Sequence, residues 1–311
     1  MLELQTSRGP TAAWVTVRGA VAAGSELLCN AGIDNARLDA EVLLRHFLGM
    51  EKAELYLGSD LALNAMAERE FQKLLLRRAG REPIAYITGH KEFWSLDLVV
   101  TPEVLIPRPE TELLVELAFK LSTPRSGTSP RKILDLGTGS GAIAVSLAKE
   151  LPQARIGAVD ISAGAIEVAR LNARRHGIED RVEFFCGDLF EAVADEREGF
   201  DLIVANPPYI RCGDLAGLAP EIRQWEPIMA LNGGADGLLY YRRIVAEAGD
   251  YLKGGGSILI ELGDAMGDAV ARLFAAAGGF ETAQVYRDYA GKERVIAAAK
   301  ISAAGKGSDR G

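Results

Sequence analysis

Apolar positions recur at three- and four-residue intervals through residues 14–82, with charged positions between them. Leu27, Leu28, Leu38, Val42, Leu43, Phe47 and Leu48 carry the period, and Phe71, Leu74, Leu75 and Arg78 continue it. Such spacing predicts amphipathic helices that bury one face each on a common core. Breaks are expected at Gly32, Gly49, Gly58 and Gly80, and Asp34 and Asp60 stand where helix N-caps are expected. Residues 1–82 therefore read as a small helical bundle. The period stops at 83–110, where Pro83, Pro102, Pro107 and Pro109 exclude a continuous helix. Phe93 to Val100 has the alternation of a short strand pair or hairpin, so 83–110 reads as a hairpin and linker. Helical spacing returns over Glu110–Leu121 through Leu113, Leu114, Leu117 and Leu121, and 122–131 is a loop rich in serine, proline and glycine.

From Lys132 the pattern alternates. Strands are expected at 133–136, 155–160, 182–186, 200–205, 257–261, 281–286 and 293–298. Helices are expected at 142–150, 163–176, 240–252 and 265–277. Strand–helix alternation of this kind predicts an α/β fold: a doubly wound, Rossmann-like, mostly parallel sheet with helices on both faces. The last two strands, joined by a glycine-containing turn, form an antiparallel edge. This larger domain spans 111–300, and the small polar stretch 301–311 is expected to be a disordered tail.

Composition narrows the class without changing this outline. In 311 residues, 48% are hydrophobic and 25% charged, which excludes a disordered chain and a coiled coil. The 35 basic and 43 acidic side chains leave a net charge of −8, which counts against a bulk nucleic-acid binder. Residues 1–82 hold 10 basic and 11 acidic side chains, so nearly all of the excess lies beyond them. No apolar run reaches the ~18 residues of a membrane span, and the N-terminus lacks the basic and apolar regions of a secretory signal. Cys29, Cys186 and Cys212, with His46, His90 and His176, offer no zinc-ligand spacing. A reduced, cytoplasmic protein with no metal is expected.

The chemistry is concentrated in two loops. Asp135-Leu-Gly-Thr-Gly-Ser-Gly141 joins an expected strand to an expected helix. Gly137, Gly139 and Gly141 let the backbone turn sharply and let a ligand lie against it. Thr138 and Ser140 alternate with them, ahead of helix-start amides suited to polar or anionic groups. Dehydrogenases also use glycine-rich loops, but this spacing is G-x-G-x-G and the strand ends on Asp135. A carboxylate there would disfavour a pyrophosphate and would tolerate the cationic methionine moiety of S-adenosylmethionine. Asp160 ends the second strand, where such sheets place a carboxylate for ribose hydroxyls. Asp188 ends the third and could accept from an adenine amino group, with Leu189 packing nearby. Singly, each aspartate reads as a helix cap or a turn residue; together with the glycines they outline a cofactor crevice.

Asn206-Pro-Pro-Tyr209 follows the strand Leu202–Ala205, at the same carboxyl edge. Asn-Pro alone is an ordinary turn. In the full tetrapeptide, Pro207 and Pro208 stiffen the loop and remove two donors, leaving carbonyl oxygens to face a ligand. Asn206 adds a carboxamide and Tyr209 an aromatic face, which suits a planar group bearing NH2. If the Asn206 side-chain oxygen and the Pro207 carbonyl bind its two hydrogens, the nitrogen lone pair is steered toward a methyl donor, and orientation supplies much of the rate. No strong general base is needed, because the N-methylated cation is very acidic.

With these residues in view, the chain resembles the protein-(glutamine-N5) methyltransferases that modify class 1 peptide-chain release factors. The resemblance runs from about residue 20 to 298. It is carried by Glu82-Pro-Ile-Ala-Tyr-Ile-Thr-Gly89, Glu92-Phe-Trp-Ser-Leu96, Ile106-Pro-Arg-Pro-Glu-Thr-Glu112, the two loops above, and Arg287-Asp-Tyr289 with Glu293-Arg-Val295. It implies S-adenosylmethionine as donor, S-adenosylhomocysteine as product, and the glutamine of a Gly-Gly-Gln loop as acceptor. It places donor contacts on Gly137 to Gly141, Asp160 and Asp188-Leu189. Asn206 to Tyr209 would hold the glutamine, Leu105 to Arg108 would close over it, and the helical domain would help grip the protein substrate. One departure is Gln224-Trp-Glu-Pro227, where phenylalanine is expected in place of Trp225. Other readings are a ribosomal-protein glutamine as acceptor, adenine-N6 methylation of nucleic acid, and a cofactor-binding protein that only docks to the translation apparatus.

Overall fold

Helices form where the three- and four-residue spacing runs: α1 (Val17–Asn30), α2 (Ala36–Leu48), α3 (Lys52–Leu57) and α4 (Ala65–Ala79), followed by the short α5 (Ile84–Thr88). They belong to a computed structural model that describes residues 16–122 and 131–302. Leu28, Leu43, Phe71 and Leu75 of the anticipated stripe are fully buried together with Leu44, whereas Leu38, expected on the same stripe, is 53% exposed. Arg78 keeps that period because its guanidinium reaches Asp39 of α2 at 2.7 Å in a nearly buried pair. The N-caps differ from expectation. Thr16 caps α1, and the Asn64 side chain accepts from the amides of Met66 and Ala67 at the start of α4. Asn35, not Asp34, precedes α2, and Asp60 instead pairs with Arg18 at 3.0 Å. Gly49, in the left-handed region with φ 64°, ends α2.

The chain divides into two compact units at Thr88/Gly89, six residues beyond the end of the expected bundle. In the second unit, β1 (His90–Phe93) and β2 (Leu96–Val99) form the expected hairpin, turned by Trp94 and Ser95, both with positive φ. A 3-10 turn at Pro109–Thr111 leads into α6 (Glu112–Ser122). The alternation then follows as β3 (Lys132–Leu136), α7 (Ala142–Glu150), β4 (Arg155–Asp160), α8 (Ala163–Arg175), β5 (Val182–Cys186) and β6 (Phe200–Ala205). Beyond the unanticipated α9 (Pro220–Trp225) come α10 (Leu239–Tyr251), β7 (Leu252–Glu261), α11 (Gly267–Ala277), β8 (Gln284–Arg287) and β9 (Glu293–Ala299). Residues 123–130 and 303–311, where the loop and tail expectations fall, lie outside the described residues.

The seven-stranded sheet runs β5-β4-β3-β6-β7-β9-β8. All pairs are parallel except those of β9, which is reversed and lies between β7 and β8. Successive strand residues alternate between two apolar layers. Ile133, Ile156, Leu202, Val204 and Leu259 face α6, α7 and α8. Leu134, Leu136, Val159, Ile203, Ala205 and Ile260 face α10 and α11. Burial on both faces explains why these strands read as nearly continuous apolar runs. The order reverses between β3 and β6, and ligands in open α/β sheets bind outside the carboxyl ends at that switch point. Among the described residues no helix is long and apolar enough to cross a membrane, and no cluster of His, Cys, Asp or Glu could hold a metal ion.

Candidate active site

Leu136 and Ala205 sit opposite one another at the ends of β3 and β6. The glycine-rich loop and Asn206-Pro-Pro-Tyr209 therefore leave the sheet side by side. Between them opens a cavity of about 440 Å³, within the range that holds small ligands. Its wall contains Gly137, Gly139, Asp160, Asp188, Leu189, Asn206, Pro207 and Pro208, together with Leu105 and the segment Pro227–Ala230.

Gly137 and Gly139 have φ of 72° and 55°, and no atom lies within 4 Å of where a Cβ would stand. Both glycines are required by the backbone, and both leave room for a ligand against the main chain. Gly141 plays a different part: a Cβ there would meet Ala169 at 3.1 Å, so it permits close packing of α7 on α8. Asp135, Thr138, Ser140 and Gly141 do not reach the cavity. Asp135 is fully buried behind the loop, where its Oδ2 accepts from the Thr138 hydroxyl at 2.6 Å. Burial pushes its carboxyl up to about 7, against the opposing bonds from Thr138 and the Ala144 amide. The Ser140 carbonyl accepts from the Asn172 amide at 2.8 Å.

Asp160 lies on the wall and braces the loop, accepting from the amides of Gly139 at 2.8 Å and Ser162 at 2.9 Å. Burial raises its pKa, and those bonds lower it. Each carboxylate oxygen keeps a further lone pair for a ligand. Asp188 is shared: Oδ2 accepts from Arg243 at 2.9 Å. Leu189, beside it, holds a strained φ of 49°.

Asn206 donates from Nδ2 to the Thr111 hydroxyl at 3.1 Å. Tyr209 does not join the cavity wall. Its ring packs on Gly263, where a Cβ would meet the ring at 2.9 Å, and its main chain lies against Gly233. Burial, with the charge of Glu261, pushes its hydroxyl up to about 12. Arg108 also stays off the wall. It pairs with the buried Glu226 at 2.5 Å, and Glu226 accepts from the Ile106 amide at 3.2 Å. That carboxylate thus ties the Leu105–Arg108 segment to the Pro227 loop across the cavity mouth.

Thr111, Glu226, Arg243 and Glu261 are site residues that sequence reasoning missed. Glu261 ends β7 and is pushed by burial up to about 7, while bonds from Thr111 and Asn206 and the charge of Arg294 pull it down. A signal for it existed, since it is another acidic residue closing an apolar strand. The others have only distant partners.

Comparison with known proteins places these features. The PrmC N-terminal domain model matches residues 19–89, and the methyltransferase small domain model matches 111–217. A release factor glutamine methyltransferase of Geobacter sulfurreducens is 46% identical over 86% of this chain and 91% of its own length. One from Moorella thermoacetica is 41% identical over 91% and 98%. Among solved structures, the hMettl16 catalytic domain with a MAT2A 3'UTR hairpin aligns at TM-score 0.53 and 17% identity, over 70% of this chain and 80% of its own, a likeness of fold. Identity of this extent along both chains, with both domain models matched in order, makes the protein a member of the release factor glutamine methyltransferase family.

Proposed function

We propose that the protein methylates the side-chain nitrogen N5 of the glutamine in the Gly-Gly-Gln loop of class 1 peptide-chain release factors. The observation that carries this reading is the placing of Asn206-Pro207-Pro208 and the Gly137/Gly139 turn on one cavity wall. The residues fit S-adenosylmethionine: open backbone at the two glycines, carboxylates at Asp160 and Asp188, and apolar Val159, Ile161 and Leu189 beside them. Bound there, S-adenosylmethionine supplies a sulfonium-activated methyl group and leaves as S-adenosylhomocysteine. Asp160 would hold ribose hydroxyls, and the Asp188-Leu189 turn would take the adenine.

The chain's own work is done on the acceptor. A carboxamide nitrogen is a poor nucleophile because its lone pair is delocalised. The Asn206 Oδ1 and the Pro207 carbonyl accept its two hydrogens and fix the plane of the amide, so the lone pair points at the methyl carbon. Pro207 and Pro208 have no amide hydrogen to compete for those acceptors. The methylated nitrogen then sheds a proton to water without a dedicated base. Leu105 covers the glutamine stem, and the Arg108–Glu226 pair holds that cover in place. Tyr209 supports the loop from behind. The helical unit is assigned the docking of the release factor, in the cytoplasm, with neither membrane nor nucleic acid taking part.

The test is transfer from labelled donor to a release factor with its Gly-Gly-Gln glutamine intact or replaced. Label is expected on the intact factor and lost on replacement. Label persisting on another residue, or going to a ribosomal-protein glutamine instead, would reject the assignment.

A further inference from the structure

An asparagine amide has two ends of nearly equal shape, one an acceptor and one a donor. Only the orientation with oxygen toward the cavity can receive a substrate NH2; the other sets donor against donor. Something behind Asn206 must choose. The choice is built from two elements far apart in sequence. Thr111 closes the 3-10 turn before α6, is 4% exposed, and accepts from Asn206 Nδ2 at 3.1 Å. Glu261 ends β7, level with Asn206, because Ala205 lies opposite Ile260 in the sheet. Its side chain is buried, and its Oε2 has no partner among the described residues. Its main chain is pinned, since the carbonyl accepts from the buried Tyr241 hydroxyl at 2.8 Å.

We infer that Thr111 and Glu261 are positioning residues that set the orientation of the Asn206 amide. Resting on the reading of Asn206 as a substrate acceptor, the inference is that the wall behind the amide offers acceptors: the Thr111 hydroxyl oxygen and, once ionised, the Glu261 carboxylate. The amide nitrogen therefore faces inward. A flipped Asn206 would press its carbonyl oxygen against the Glu261 carboxylate and turn its NH2 toward the substrate NH2. Neither side chain need touch the substrate.

The test uses the full chain with release factor and labelled donor, comparing Thr111→Val, Glu261→Gln and Thr111→Ser. Valine keeps the shape of threonine but removes the acceptor. Glutamine keeps the shape of glutamate but offers a donor that satisfies the flipped amide. Each should lower kcat about tenfold, the scale of one lost buried hydrogen bond, with KM for the release factor and donor affinity by calorimetry within about twofold of wild type. Thr111→Ser should retain wild-type kcat. The double variant should fall little below the worse single one, because both act through the same amide. Unchanged kcat in Thr111→Val and Glu261→Gln, with an active wild type, would overturn this inference alone. So would losses shared by Thr111→Ser, or losses that track donor affinity. A wild type inert on the glutamine would overturn the functional reading and this inference with it.

Discussion

Asn206 and Asp160 sit on the same cavity wall, and the chemistry assigns them opposite failures. On the proposed reading, Asn206→Ala removes an acceptor used only to orient the reacting amide. Turnover should fall by about 100-fold or more while donor affinity stays near wild type. Asp160→Ala removes the proposed ribose contact and also releases the Gly139 and Ser162 amides that its two oxygens hold. Donor affinity should weaken by roughly tenfold to a hundredfold, on the scale of a charged hydrogen bond. Calorimetry beside single-turnover rates separates the two; a matched loss of affinity in both variants would break the division of roles. These residues are legible in sequence because each stands at a strand end, Asn206 within the Asn-Pro-Pro-Tyr segment. Thr111 and Glu226 lie in segments that enter the family resemblance, but their roles are not legible, because they act on residues 95 and 118 positions away that only folding brings to them.

At the scale of elements, the strands and long helices follow from apolar spacing, since the parallel sheet is buried on both faces and its helices on one. The turns were harder to read. Trp94 and Ser95 adopt positive φ at the hairpin although neither favours it, because the strands on either side are held from outside. Trp94 donates to Glu150 at 2.8 Å, and Asn172 of α8 fastens the other end. That asparagine is fully buried. Its Oδ1 accepts from the Val99 amide at 2.7 Å, and its Nδ2 donates to the carbonyls of Val99 and Ser140. One side chain therefore joins hairpin, helix and glycine-rich loop. Asn172→Ala removes the partner of three backbone groups, the half-buried amide and carbonyl of Val99 and the buried carbonyl of Ser140, at a cost of about 3 kcal/mol. The melting temperature should fall by roughly 5–10 °C, and donor affinity should weaken with it because the loop loses an anchor. A melt within 1–2 °C of wild type would mean that water replaces the amide there.

Over the whole molecule, the titrating carboxylates divide by burial. Asp135 and Glu261, at the carboxyl ends of β3 and β7, are both pushed by burial up to about 7, and Asp160, at the end of β4 on the other side of β3, is raised as well. Two less buried carboxyls shift the other way: the Arg242 hydrogen bond holds Asp236 down to about 2, and Asp288 is lowered by its bond from Arg294. The two groups act on stability in opposite senses. A depressed carboxyl stabilises the fold above about pH 4, and that contribution is lost as pH falls toward 2. A raised carboxyl keeps its proton in the folded chain while the unfolded chain has released it. Its contribution is whole below about pH 4 and is lost as pH rises through 7. Asp135 and Glu261 therefore both weaken the fold as pH rises from about 4 through 7. The melting temperature should therefore decline from pH 5 to pH 8. Replacing both with their amides, Asp135→Asn with Glu261→Gln, should flatten the decline whatever offset the changes introduce. Parallel slopes for wild type and the double variant would show that these carboxyls titrate near their ordinary values. Because both acids are buried at the carboxyl edge of the sheet, where the proposed site lies, a flattened slope would tie the pH cost of folding to that edge.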